Sequence, residues 1–168
     1  YFLNDAFSCS HRAHASTDAI TRFLPSFFGP MMDEEINALH KALENPEKPS
    51  LAIIGGSKVS TKISVLKNLV CKLDNLIIGG GMANTFLHAG GSPIGKSLYE
   101  PDFKDTVNEI HELAKKYDCK IFLPVDVVVS KNLIKNAYHK IVNINDCPSD
   151  HMILDIGEKS IELYKNII

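Results

Sequence analysis

Lys58 and Lys62 stand four residues apart just after a glycine pair, in "LAIIGGSKVSTKI", residues 51–63. An apolar run closed by Gly55-Gly56 reads as a strand end, and the residues after it read as a helix start. Unpaired N–H groups at such a start point toward a ligand above the sheet. Lysines spaced by four share one helix face and repel by roughly 0.2–0.5 kcal/mol. Near the positive end of the helix dipole each loses a further 0.3–1 kcal/mol or so. A phosphate reverses both signs, because unit charges about 4 Å apart attract by about 4 kcal/mol at an effective dielectric near 20. Two solvated lysines on an exposed face are the alternative. Strand, glycine pair, helix start and lysine pair together favour phosphate.

Other stretches carry weaker signals. "GGSPIGKS" (90–97) satisfies the G-x-x-x-x-G-K-[ST] pattern, yet a helix-like stretch precedes it, "LYEP" follows it, and Pro93 removes a donor from the would-be cradle, so it reads as a connecting loop. "IIGGGMA" (77–83) ends a second apolar run, and its glycines allow close backbone approach to a flat ligand. As a dinucleotide fingerprint it fails at Asn84, and the acids further on, Glu100 and Asp102, sit at a helix start rather than a strand end. "SHRAH" (10–14) places Arg12 between His11 and His14. The arginine fork suits a carboxylate or phosphate, a solvated arginine being the plainer reading, and the histidine pair lacks a third ligand for a metal. Asp126, in "LPVDVVV", is either catalytic or a strand-end acid bonded to a neighbouring turn.

The elements that would position these residues alternate. Residues 1–7 read as a strand and 25–30, "PSFFGP", as a breaker-rich link. Met32, Ile36, Leu39 and Leu43 recur at helical spacing, with Asp33, Glu34 and Glu35 in the first turn. Strands are predicted at 51–56, 75–81 and 120–129, with shorter ones at 140–144 and 152–157. Helices are predicted at 58–73, 82–89 and 101–118. Apolar strands alternating with helices predict an incomplete doubly wound, mainly parallel α/β sheet with flanking helices.

Composition sets outer bounds. The chain has 168 residues, 45% hydrophobic and 23% charged, with a formal net charge of −2, so it can form a sizeable core and offers no electrostatic case for nucleic acid or a membrane surface. No apolar run approaches the roughly 20 residues of a membrane span. Cysteines at 9, 71, 119 and 147 form no C-x-x-C, which suits a reducing cytoplasm. The chain opens inside a strand-like run and closes inside a helix-like one, as an excerpt of a longer protein would.

"NDAFSCSHRAHAS", "NPEKPSLAIIGGSKVSTKI", "LIIGGGMANTFL", "IGKSL", "LPVDVVV" and "MILDIG" occur in the order found in phosphoglycerate kinases, and the chain resembles that family over essentially its whole length. The resemblance implies a two-lobed glycolytic kinase that moves a phosphoryl group between 1,3-bisphosphoglycerate and ADP, with Mg2+, giving 3-phosphoglycerate and ATP. It implies that residues 1–28 are the remnant of the substrate lobe, 29–48 the interdomain helix and 49–168 part of a Rossmann-like nucleotide lobe. Arg12 matches the arginine on the phosphoglycerate acid, Lys58 the lysine that steadies the transferring phosphoryl, and Lys62 the lysine on the nucleotide phosphates. Gly56, Ser57, Gly80 and Gly81 match backbone walls of the nucleotide site, and Leu98, Ile153 and Leu154 its apolar side.

Ser57 stands where the family usually has alanine, and Leu133 where some members place a phenylalanine against the base. The resemblance also puts further substrate-binding and magnesium-side segments outside these residues. The 168 residues alone are therefore expected to be inactive and prone to self-association, and the full enzyme to be a cytoplasmic monomer. The rivals are an NAD-dependent dehydrogenase lobe, which needs a ribose-binding acid at the end of the second strand, and a non-catalytic α/β scaffold.

Overall fold

Short aliphatic runs bounded by glycine or proline form the strands, and amphipathic segments form the helices between them. The computed structural model describes residues 1–44 and 46–168. They divide into two units, Tyr1–Glu47 and Lys48–Ile168.

In the first unit, β1 (Phe2–Asn4) runs parallel to β2 (Ser26–Phe28). The stretch 25–30 was expected as a link, and its centre is instead a strand. Phe2 N–H donates to Pro25 O at 2.9 Å and Gly29 N–H to Asn4 O at 2.9 Å, so the pairing is made with residues more than twenty positions away. Helix α1 (Pro30–Leu43) comes next, with proline in its first turn and the Asp5 carboxylate accepting the Met32 N–H at 2.8 Å.

In the second unit, β3 (Leu51–Ile54), β4 (Asn75–Ile78) and β5 (Lys120–Phe122) form a parallel sheet in chain order. Helices α2 (Ile63–Val70), α3 (Gly80–Ala89) and α4 (Lys104–Lys116) connect them. Leu66 and Val70 of α2, Phe86 of α3 and Ile110 of α4 pack with Leu76 and Ile78 of β4 in one core. A second sheet is antiparallel, with β6 (Asp126–Ser130) between β7 (His139–Asn143) and β8 (Met152–Ile156), and α5 (Glu158–Ile167) comes after it. Three strand pairings are parallel and two antiparallel among the described residues, so the α/β architecture is mainly parallel, as predicted.

Several element boundaries differ from expectation: the strand expected over 1–7 is only Phe2–Asn4, β4 ends at Ile78 with Gly80 and Gly81 opening α3, and α4 starts at Lys104. Two further differences have a clear cause. The strand predicted over 120–129 is two strands in different sheets, β5 and β6, because Pro124 has no N–H for a ladder. Beyond the break, the Val125 and Asp126 N–H groups donate to the Ser160 hydroxyl at 3.0 and 3.1 Å. The buried Asp126 carboxylate accepts the Lys159 and Ser160 N–H groups at 3.0 and 2.8 Å and the Ser160 hydroxyl at 2.6 Å. Asp126 thus caps α5 from the start of a strand, the structural one of its two readings. The helix predicted over 58–73 begins only at Ile63 and ends at Val70. Residues 58–62 form a turn, with Lys62 N–H on Val59 O at 2.8 Å and the Thr61 hydroxyl on Lys58 O at 3.1 Å.

Asp74 clamps the entries of β3 and β4. Its carboxylate accepts from Lys48 Nζ at 2.7 Å, from Ser50 N–H at 2.9 Å and from the Ser50 hydroxyl at 3.0 Å. The Lys48 bond, then those from Ser50, hold its carboxyl down from 3.8 to about 2. A depressed folded-state value adds stability above the unfolded value and loses it as pH falls through the folded one. The advantage of the natural chain over Asp74→Asn in urea unfolding is therefore expected to be full above about pH 4 and to vanish near pH 2.

Candidate functional site

Parallel pairing puts Ile54 beside Ile78, so the glycine turns that end β3 and β4 leave the same edge of the sheet. There they meet backbone to backbone. Gly79 N–H donates to Ile54 O at 2.8 Å and Met82 N–H to Gly56 O at 2.9 Å. Gly80 has φ +65°, and a Cβ on it would lie 2.9 Å from Gly56 O. A Cβ on Gly81 would lie 3.0 Å from Ser57 O and 3.2 Å from Ser57 Cα. Gly80 is confined to glycine by both its left-handed backbone and this contact, and Gly81 is tightly packed, which gives the second and third glycines of the "GGG" run a structural reason.

The lysine-bearing turn leaves directly from this contact. Val59 is fully buried, so it anchors the turn to the core while Lys58 stays exposed. Lys62 is the residue before α2, with φ −130°. Its Cε lies 3.5 Å from the point a Gly56 Cβ would occupy, so its stem folds back over the glycine turn. The expectation that the two lysines share a helix face is corrected: both belong to the 58–62 turn. Among the described residues neither is in a salt bridge, which leaves their charge available to an anion.

Gly80 and Gly81 also line a cleft of about 170 Å³, together with Asn84 of α3, Pro124, Val127 and Ile153, Leu154 and Asp155 of β8. The structure therefore brings together Gly80, Gly81, Ile153 and Leu154, with Gly56 in contact through Gly80. Leu98 is 61% exposed and does not line the cleft, although the Asn84 side chain donates to its carbonyl at 3.1 Å. Arg12 is exposed in the first unit, its Nε 3.5 Å from His11 Nε2. "GGSPIGKS" comes after α3 and leads to a single turn of 3-10 helix at Pro101–Phe103, so it is a connection, as read. Its Ser97 hydroxyl accepts the Ile153 N–H at 2.8 Å, which fixes one side of the cleft.

Asn84, which lines the cleft, and Thr85 and Glu100, which hydrogen-bond to the neighbouring segments, were not assigned from the sequence. The available signal was a pair of polar residues, Asn84-Thr85, inside the otherwise apolar "MANTFL", and both are buried. A larger concavity of about 620 Å³ lies in the first unit, lined by Phe2, Phe27 and Phe28 without any charged side chain, and so does not suit a polyanion. Among the described residues no three His, Cys, Asp or Glu side chains converge as a metal site. Among the described residues no helix is long and apolar enough to cross a membrane.

A parallel α/β layer whose strand-end glycine turns open onto a cleft defines a Rossmann-like lobe. The profile of the family described as "Phosphoglycerate kinase" matches residues 1–168. The chain is 53% identical over 160 residues to "Phosphoglycerate kinase" of Methylorubrum extorquens strain PA1, covering 95% of this chain and 40% of that protein. It is 54% identical over 161 residues to the protein of the same name in Mesorhizobium japonicum, covering 96% and 40%. The solved structure of phosphoglycerate kinase from Coxiella burnetii superposes with a TM-score of 0.90 at 44% identity, covering 99% of this chain and 43% of that one. The enzyme from Pyrococcus horikoshii superposes at 0.77 with 28% identity, covering 98% and 42%. The chain belongs to the phosphoglycerate kinase family. It spans about 40% of the length of the curated relatives it matches.

The glycine contact makes a sharp contrast testable. A Cβ on Gly79 meets nothing within 4 Å, whereas one on Gly80 meets backbone in a left-handed conformation. Gly80→Ala is expected to destabilise by about 1–3 kcal/mol in urea unfolding. Gly79→Ala is expected to stay within about 0.5 kcal/mol of the natural chain.

Proposed function

We propose that this chain carries the nucleotide-phosphate machinery of a phosphoglycerate kinase, which transfers a phosphoryl group between 1,3-bisphosphoglycerate and ADP to give 3-phosphoglycerate and ATP. The observation that carries the reading is the pair of lysines, without salt bridges among the described residues, on the turn that leaves the interlocked glycines. In this reading the cleft lined by Gly80, Gly81, Ile153 and Leu154 takes the base, with Leu98 at its margin. Lys62, its stem over Gly56, faces the nucleotide phosphates, and Lys58 faces the transferring phosphoryl. Gly56, Ser57, Gly80 and Gly81 supply backbone walls close enough for a flat ligand.

The residues act by charge and position. A phosphoryl in flight spreads negative charge over its oxygens, and cations positioned where that charge develops stabilise it more than they stabilise the ground state. Arg12, with a planar fork, would hold the acid substrate, and residues 1–28, 29–48 and 49–168 would serve as substrate-lobe remnant, linking helix and partial nucleotide lobe. In this family reading Mg2+ accompanies the nucleotide. Among the described residues no cluster of three His, Cys, Asp or Glu side chains stands ready to hold it. The dehydrogenase reading loses ground because β4 ends in glycines where a ribose-binding acid would stand.

Titration calorimetry on the intact protein tests the proposal. ADP or ATP is expected to bind and NAD is not. Lys62→Ala should weaken ADP about tenfold or more, and Lys58→Ala should lower turnover by about 10²-fold or more with a smaller effect on ADP affinity. Equal binding of NAD, or unchanged ADP affinity in Lys62→Ala, contradicts the reading.

A further inference from the structure

Ser60 lies midway between the two lysines, and both of its donors go to one carboxylate. Its N–H donates to Glu100 Oε2 at 2.9 Å and its hydroxyl to Glu100 Oε1 at 2.6 Å. The contact joins residues forty positions apart. Glu100 is itself held: its own N–H donates to the hydroxyl of Thr85 at 3.1 Å, and Thr85 is buried in α3. The other member of α3's buried polar pair, Asn84, holds the Leu98 carbonyl, and Ser97 holds the Ile153 N–H. Residues 97–100 are thus a strap fastened to β8, to α3 and to the lysine turn.

Resting on the kinase reading above, we propose that Glu100 is a positioning residue: through Ser60 it sets the shape of the Lys58–Lys62 turn that receives the phosphates. The turn needs such a support. It has few bonds of its own, and two like charges at its ends favour its opening. A two-point carboxylate grip on Ser60 resists that opening, because charge-assisted hydrogen bonds are the stronger kind. The negative charge also sits near Lys58, which eases the presence of two cations while no phosphate is bound. Partial burial pushes the Glu100 carboxyl up, but the Ser60 hydroxyl and N–H, the Val59 N–H and the Lys58 charge together hold it below its ordinary value, so it is ionised at neutral pH.

The test uses the intact protein and reads ADP affinity at 25 °C beside the melting temperature. Glu100→Ala is expected to weaken ADP about tenfold. Ser60→Ala should weaken it about two- to threefold, and the double variant should be no weaker than Glu100→Ala, since both changes break one linkage. Glu100→Gln keeps an acceptor for Ser60 and loses the charge, so its affinity should fall between natural and Glu100→Ala. If Glu100→Ala does not fold, the Gln variant carries the test, with weakening of about threefold expected. A lower melting temperature with natural ADP affinity, in whichever of the two folds, means a purely structural contact and overturns the proposal. Lys62→Ala measured alongside separates the two ideas. Weakened binding there with natural binding in the Glu100 variants sinks only the positioning role, whereas natural binding in Lys62→Ala sinks the kinase reading.

Discussion

The turns that follow β3 and β4 touch backbone to backbone because Gly80 and Gly81 present no Cβ at the point of contact, and the candidate site rests on that restriction. A Cβ on Gly80 would lie 2.9 Å from Gly56 O, and one on Gly81 3.0 Å from Ser57 O. The contact fixes where α3 begins, since α3 starts at Gly80 and its Met82 N–H is already spent on Gly56 O. It fixes the departure of the lysine turn, which leaves at Ser57. It also fixes part of the cleft lining, to which Gly80, Gly81 and Asn84 belong. The parallel register of β3 and β4 brings the turns together, and the core of Leu66, Val70, Leu76 and Phe86 holds that register.

Electrostatics supplies the second half of the logic. The chain as a whole is close to neutral, with a formal net charge of −2, so positive charge at the glycine turns is a local arrangement. Two cations near the open end of a sheet oppose folding slightly and favour an anion strongly, and the balance between these terms depends on geometry being held before the ligand arrives. Val59, buried beneath the turn, and Glu100, gripping it from the side, are two supports of that geometry. Neither support uses a lysine as its anchor, so the cations are free to meet a guest.

Much of this was legible in the sequence, and the parts that were not share a cause. The strands begun at 51 and 75, the α1 periodicity and the connecting nature of 90–97 come from local pattern, and the structure agrees, although β3 and β4 end at Ile54 and Ile78 and Gly80 already opens α3. The delayed start of α2 has no local cause, because the Ser60 donors are taken by a carboxylate forty residues further on. The strand at Ser26–Phe28 exists only through pairing with Phe2–Asn4, which no window around Pro25 contains. Pro124 was visible as a breaker, but the apolar residues on both sides concealed that they serve different sheets. Asp126 was ambiguous between catalysis and capping until Ser160 and Lys159 were seen to occupy its oxygens. For the candidate site, the glycines and lysines stand out by spacing, whereas the hydrogen bonds of Asn84, Thr85 and Glu100 run across loops, and only the buried polar pair hinted at them.

Backbone amide NMR during an ADP titration of the intact protein examines the glycine contact as a ligand platform most directly. The account predicts saturable shifts at Gly56, Gly80 and Gly81, with Gly91 unmoved because it lies beyond the far end of α3. Saturable binding that leaves those three amides still while perturbing others would contradict it.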